Sequence, residues 1–176
     1  MAHSGFYTAK GDLGDTTRLG GNARLSKGSL LLEAVGAMDE ATSATGMARA
    51  LVEDTALKAT LRTVQEHFVQ LMAHLSATPD ARERYPGLGA DALTWLEARI
   101  ADFESELPPL RSFVLPGDSL PGAALHVART AVRRAERRVV AFVESEPGID
   151  ALTLAYLNRL SSLLFVAALY IDRPYK

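Results

Sequence analysis

Five arginines fall within the ten residues from Arg129 to Arg138, in the stretch "HVARTAVRRAERRVV", and Glu136 is the one acid among them. On a helix, Arg129, Arg133 and Arg137 recur every four residues and share a side with Glu136, whereas Arg134 and Arg138 point about 100° away. An arginine-rich helix is ordinarily a solvated face carrying intrahelical ion pairs. Here one acid for five guanidinium groups leaves most of them without a local counter-ion, and His126 sits one turn before Arg129. Such a surface suits a multiply charged anion. The planar guanidinium donates two hydrogen bonds at fixed geometry and stays charged when partly desolvated.

A second stretch offers complementary parts. "TAKGDLGDTTRLGGNARLSKGS" supplies backbone amides freed by glycine, hydroxyls on Thr8, Thr16, Thr17 and Ser26, and cations at Lys10 and Lys27, a set able to wrap a triphosphate. It contains no G-x-x-x-x-G-K-[ST] loop, and its composition equally describes a disordered arm. "EAVGAMDEA" contributes Glu33, Asp39 and Glu40, carboxylates of a kind usually solvated on a helix. "YLNRLSSLLF" places Asn158 and Ser162 one turn apart beside an apolar stripe, where a lone asparagine is ordinarily a hydrogen-bonded packing residue.

The elements that must carry these residues are helices. The 176 residues, 48% of them hydrophobic, fit one domain spanning 1–176, with a loop or arm over 1–28 and a helical bundle over 29–171. Helix periodicity begins after Ser29, a plausible N-cap, with Leu32, Val35, Met38, Ala41, Thr42 and Ala48, and runs to Val52. Further helices are predicted from Asp54 to Ala77, Asp91 to Leu107, Ser119 to Glu144 and Asp150 to Ile171. The connections "TPDARERYPGLG" and "LRSFVLPGDS" separate them. No stretch alternates long enough to predict a strand, so the expected fold is all-α, a bundle of five helices.

Composition removes several classes of function. A net charge of -2 argues against a general nucleic-acid coat or a membrane-surface protein. The absence of cysteine excludes disulfides, zinc-thiolate sites and thiol catalysis. "MAHSGFYTAKGD" lacks an apolar signal core, and the apolar run from Leu160 to Ile171 reads as too short to span a bilayer. A soluble cytoplasmic protein is expected, with neither nucleic acid nor membrane as partner.

Taken in order, "TAKGDLGDT", "EAVGAMDE", "FVLPG", "LHVARTAVRRAERRVV" and "YLNRLSSLLF" resemble the PduO-type ATP:cob(I)alamin adenosyltransferases across residues 7 to 168. The resemblance implies a five-helix bundle with an ordered N-terminal glycine-rich loop, assembled as a homotrimer with ATP and cobalamin at the subunit interfaces. It implies transfer of the 5′-deoxyadenosyl group of ATP to Co(I) of a reduced corrinoid, releasing triphosphate, with Mg2+ as cofactor and an adenosylcobalamin-dependent enzyme as recipient. Co(I) is then the nucleophile, so no serine, cysteine or histidine base is required.

Position by position, the resemblance assigns Thr8, Gly11, Asp12, Gly14, Thr16 and Lys27 to the loop that closes over ATP. It assigns Arg133 and Arg137 to the triphosphate, Glu136 to the acid near Mg2+ and Asn158 to a nucleotide contact, with Arg134 also among the cofactor-binding residues. Asp39 and Arg129 match a pair that bridges subunits beside the corrinoid. Phe113 matches the aromatic that presses on the lower corrin face and excludes its axial base, so Arg133, Arg137 and Phe113 are the expected catalytic residues. The chain departs from the family pattern at Asn22-Ala23, where "GNARLSK" is one residue longer than the usual spacing, and at Gly28-Ser29, Ala41, Asp118 and Ser162. Two other readings remain: a related carrier or sensor that binds corrinoid or nucleotide without rapid transfer, and a structural bundle whose arginines contact an acidic protein.

Overall fold

The computed structural model describes residues 9–146 and 151–173. Five long helices make up most of it: α1 (Leu30–Leu51), α2 (Thr55–Ser76), α3 (Ala90–Glu104), α4 (Leu120–Ser145) and α5 (Ala151–Asp172). Side-chain oxygens stop three of them at their N-termini by accepting an otherwise unpaired amide. Ser29 Oγ accepts from Leu32 N at 3.4 Å, Asp54 Oδ1 from Leu57 N at 2.8 Å and Ser119 Oγ from Gly122 N at 3.0 Å. The helix that carries the arginines is thus fixed at its start by Ser119 and by Pro121 in its first turn.

The helices stand side by side in the order α2, α1, α4, α5, α3, so α4 lies at the centre with α1 on one flank and α5 on the other. Leu125, Ala128, Val132, Ala135, Val139 and Phe142 form its inner stripe, as the sequence spacing predicts. Small residues at Ala128 and Ala135 let its neighbours approach closely. Fully buried leucines such as Leu57, Leu61, Leu157 and Leu160 each contribute about 2 kcal/mol of burial.

The sequence reading is adjusted at four places. In α1 the fully buried set is Leu31, Ala34, Met38, Ala41, Thr45 and Ala48, whereas Leu32 and Val35 are half-buried. α1 contacts both α2 and α4, and a helix between two neighbours buries a face wider than one stripe. α3 ends at Glu104 rather than Leu107, three residues short, because Pro108 disfavours helical geometry at the residue before it. The connection after α2 contains a 3-10 helix, Pro79–Arg84. The N-terminal segment holds a short antiparallel pair, β1 (Asp15–Thr17) with β2 (Arg24–Ser26), in which Thr16 faces Leu25. Three residues per strand are too few for a period of two to register in a sequence.

α5 also corrects an expectation. At 22 residues it is long and apolar enough to cross a membrane by length and composition, yet half of its most apolar stretch is buried inside the bundle. Its apolarity follows from contact with both α4 and α3.

Candidate functional site

A cleft of about 440 Å³ runs along α4 beside α5, lined by Arg133, Glu136, Arg137, Val140, Ala141 and Glu144 of α4 and Asn158 of α5. Arg133 and Arg137 lie one turn apart on α4. Arg137 Nη1 donates to the Arg133 carbonyl oxygen at 2.9 Å, and neither guanidinium has a carboxylate partner among the described residues. Glu136 lies beside both but is engaged elsewhere, since its Oε1 accepts from Asn158 Nδ2 at 3.1 Å. The cleft therefore offers two forked cations without a carboxylate partner, one carboxylate oriented by Asn158, and a second, Glu144, further along α4. This arrangement can bind successive phosphate groups through charge-assisted hydrogen bonds.

Beyond Arg133 the groove continues into a second hollow of about 240 Å³, lined by Arg129, Arg133, Ser161, Ser162, Phe165 and Val166. The Arg129 guanidinium carbon stands 6.0 Å from the centroid of the Phe165 ring, and its buried Nε has no hydrogen-bond partner. His126 is buried one turn earlier, 6.0 Å from the same ring, with Nδ1 unpartnered. Burial, reinforced by the positive charge of Arg129, holds its pKa below the ordinary value of 6.5. The imidazole is accordingly neutral at neutral pH, so the cationic character here belongs to the arginines.

Arg134 turns away from this cleft. It forms an ion pair with Glu40 of α1, and Arg138 Nε lies 3.7 Å from Glu33 Oε2. The four side chains line a separate hollow of about 210 Å³ together with Leu32, Gly36 and Ala37. The deficit of counter-ions inferred from α4 alone is thus partly made up by α1. The remaining deficit is concentrated on Arg129, Arg133 and Arg137.

The N-terminal segment brings Gly11, Gly14 and Lys27 together. Lys27 Nζ donates to the Gly11 carbonyl oxygen at 2.8 Å, and the Lys27 amide donates to Gly14 O at 2.9 Å. Gly14 has φ +78°, a conformation that glycine adopts without penalty. Asp15 pairs with Arg24, and this hydrogen bond holds the carboxyl below the usual carboxylate range. Asp12 is exposed, Thr16 lies within β1, and Thr8 lies outside the described residues. None of the described residues of this segment lines the arginine cleft of the same chain.

Asp39 and Arg129 also stay apart within the chain. The ion pairs of Glu33 with Arg138 and of Glu40 with Arg134 set α1 and α4 antiparallel, with Asp39 level with Arg134 rather than Arg129. Asp39 is exposed and has no partner among the described residues. Phe113, on the connection between α3 and α4, is 89% exposed, with Leu115, Leu110 and Leu120 exposed nearby. The sequence reading did not single out Glu144 or Phe165. Each lies seven residues, two turns, from a residue it did select, Arg137 and Asn158, and that spacing was the available signal.

A helical bundle with an arginine-lined cleft between its two last helices defines the class as an anion-binding, all-α protein. Comparison with known proteins makes this specific. The sequence model of the family described as cobalamin adenosyltransferase matches residues 6–171, and the chain belongs to that family. It is 41% identical over 172 residues to the corrinoid adenosyltransferase of Bacillus subtilis, covering 94% of this chain and 86% of that protein. It is 37% identical over 170 residues to human corrinoid adenosyltransferase MMAB, covering 93% and 67% respectively. Among solved structures, a variant of the PduO-type ATP:corrinoid adenosyltransferase from Lactobacillus reuteri, complexed with cobalamin and ATP, superposes with a TM-score of 0.86. That match has 33% identity and covers 95% of this chain and 90% of the other.

Proposed function

We propose that this protein transfers the 5′-deoxyadenosyl group of ATP to Co(I) of reduced cobalamin, forming adenosylcobalamin and releasing triphosphate. The observation that carries the proposal is the pair of guanidinium groups, Arg133 and Arg137, that lack a carboxylate partner among the described residues, in a cleft where the acid between them in sequence, Glu136, is engaged by Asn158. In the reaction the cobalt electron pair forms the bond to C5′, the C5′–O bond breaks, and its electrons leave on the triphosphate. The enzyme's task is to hold C5′ in line and to stabilise the charge gathering on the leaving group. Two preorganised guanidinium groups meet the second need, and no protein base is required.

Magnesium fits as a companion of the nucleotide. No cluster of three or more His, Cys, Asp or Glu side chains able to hold a metal occurs among the described residues. Mg2+ characteristically takes one or two carboxylates with substrate phosphates, and Glu136 is the oriented hard oxygen donor beside the arginines. Bound there, the ion would neutralise part of the triphosphate charge.

The active assembly is a homotrimer with the site between subunits. This reading is supported by the glycine-rich segment, which stands outside the cleft of its own chain, and by Asp39, which lacks a partner among the described residues. In such an assembly Thr8, Gly11, Asp12, Gly14, Thr16 and Lys27 of one subunit close over ATP held by the neighbour's Arg133, Arg137 and Asn158. Phe113 meets the corrin. The enzyme works in the cytoplasm and passes its product to an adenosylcobalamin-dependent enzyme. The test is anaerobic incubation with ATP, Mg2+ and chemically reduced cobalamin, following the cobalt–carbon bond by absorbance. Tight binding of either substrate without bond formation would instead favour a carrier or sensor.

A further inference from the structure

Glu146, which closes α4, ties three distant segments together. Both of its oxygens accept from Arg18 Nη1 at 2.9 Å, and Oε1 also accepts from Arg82 Nη2 at 3.0 Å. Arg18 commits its other terminal nitrogen to the end of α2, donating to Ala77 O at 2.7 Å and to Leu75 O at 3.4 Å. The arginine side chains are 17% and 15% exposed and the glutamate 33%, so the triad is largely shielded from water. The next residue continues the attachment: Leu19 N donates to Ser76 O at 3.0 Å, and Thr78 N to Leu19 O at 2.9 Å. Gly20 follows at φ +79°, where a Cβ would stand 2.3 Å from that of Ala81. The chain directly after β1 is thus bound to the end of α2, packs against the 3-10 helix and is tied to the residue that caps the arginine helix. The glycine-rich part before it and β2 after it are largely exposed.

We infer that Arg18 and Glu146 are positioning residues for nucleotide binding, holding the base of the glycine-rich segment in fixed register with α4. The inference rests on the ATP reading above. It adds a pair that touches no substrate yet sets where the loop can close. A scaffold role alone would not distinguish the two arginines that share Glu146. Arg18 belongs to the N-terminal segment, whereas Arg82 belongs to the 3-10 helix, so only the loss of Arg18 should free the loop.

The experiment measures ATP affinity by calorimetry without corrinoid, steady-state kinetics with it, and amide hydrogen exchange across residues 15–26 of ligand-free protein. Arg18→Gln is expected to weaken ATP binding by about tenfold and to accelerate exchange, with kcat at saturating ATP within about twofold of wild type. Arg82→Gln should leave ATP affinity within about twofold. Arg18→Gln combined with Glu146→Gln should cost ATP affinity little more than Arg18→Gln alone, because the Arg18–Glu146 contact is already lost and the Arg82–Glu146 pair that the second change also removes does not hold the loop. Should Arg18→Gln fail to fold, Arg18→Lys keeps the charge, loses the forked contact and gives the same readouts at smaller amplitude. Unchanged ATP affinity in the folded variant, or an equal loss in Arg82→Gln, overturns the inference. A wild-type protein that binds ATP but makes no adenosylcobalamin removes the proposed function while leaving the affinity comparison intact. One that binds no ATP removes both.

Discussion

Asn158 on α5 donates its side-chain amide to Glu136 on α4 at 3.1 Å, and so restrains the one acid that lies between Arg133 and Arg137. Without that hydrogen bond the Glu136 carboxylate is free to swing onto either guanidinium and compete with a phosphate. Asn158→Ala should therefore raise KM for ATP by about tenfold while changing kcat less. Kinetics at fixed saturating cob(I)alamin check this. A loss confined to kcat would mean that Asn158 acts on the transition state instead.

Arg133 and Arg134 are adjacent in sequence but face different partners. Arg133→Ala removes charge stabilisation aimed at the leaving triphosphate and should lower the rate on the order of a hundredfold or more. Arg134→Ala breaks an ion pair with Glu40 whose side chains are 45% and 57% exposed, so its expected effect is on the order of 0.5 kcal/mol of stability, with turnover retained. Paired rate and thermal-melt measurements separate the two. Equal loss of rate in both variants would place Arg134 in the site after all.

Asp39 and Arg129 lie on neighbouring helices but at different levels, and each lacks a carboxylate or cationic partner among the described residues. If they pair across subunits, Asp39→Arg and Arg129→Asp proteins should each be inactive alone. Co-expressed, they should recover part of the activity, because mixed trimers restore some interfaces. Recovery only when both changes are in one chain would place the pair within a subunit.

Two histidines, His126 buried and His67 half-buried, set an acid limit. His67, hydrogen-bonded through Nδ1 to the Tyr156 hydroxyl at 2.8 Å, and His126, facing Arg129 and the more favourable charge of Asp172, both have pKa values lowered from 6.5, chiefly by burial. A lowered folded-state value means that the unfolded chain binds more protons below pH 6.5. Stability is therefore full above that pH and declines as pH falls through the folded-state values. Denaturant midpoints should fall on acidification below about pH 6.5, less steeply in His67→Gln. An identical pH slope in that variant would remove His67 from the account.

The helices were legible because each carries a long apolar period and three begin at a recognisable cap, as at Ser29 and Ser119. The arginine face of α4 was legible for the same reason, since four-residue spacing fixes one side of a helix. What α1 does to that face was not: nothing in the local sequence tells Arg134 that Glu40, some ninety residues away, will meet it. The strands of the N-terminal segment were too short to carry a pattern. The tie between Arg18 and Glu146 joins residues 128 positions apart, and only the fold, in which Arg18 reaches from the end of α2 to the end of α4, brings them together.

The most direct test of the central claim is phosphorus NMR of the products formed by the wild-type enzyme from ATP, Mg2+ and chemically reduced cobalamin, with adenosylcobalamin quantified in the same sample. Displacement at C5′, with its charge received by Arg133 and Arg137, predicts intact triphosphate in equal amount to adenosylcobalamin. Cleavage to ADP and phosphate, or nucleotide turnover without a cobalt–carbon bond, would contradict it.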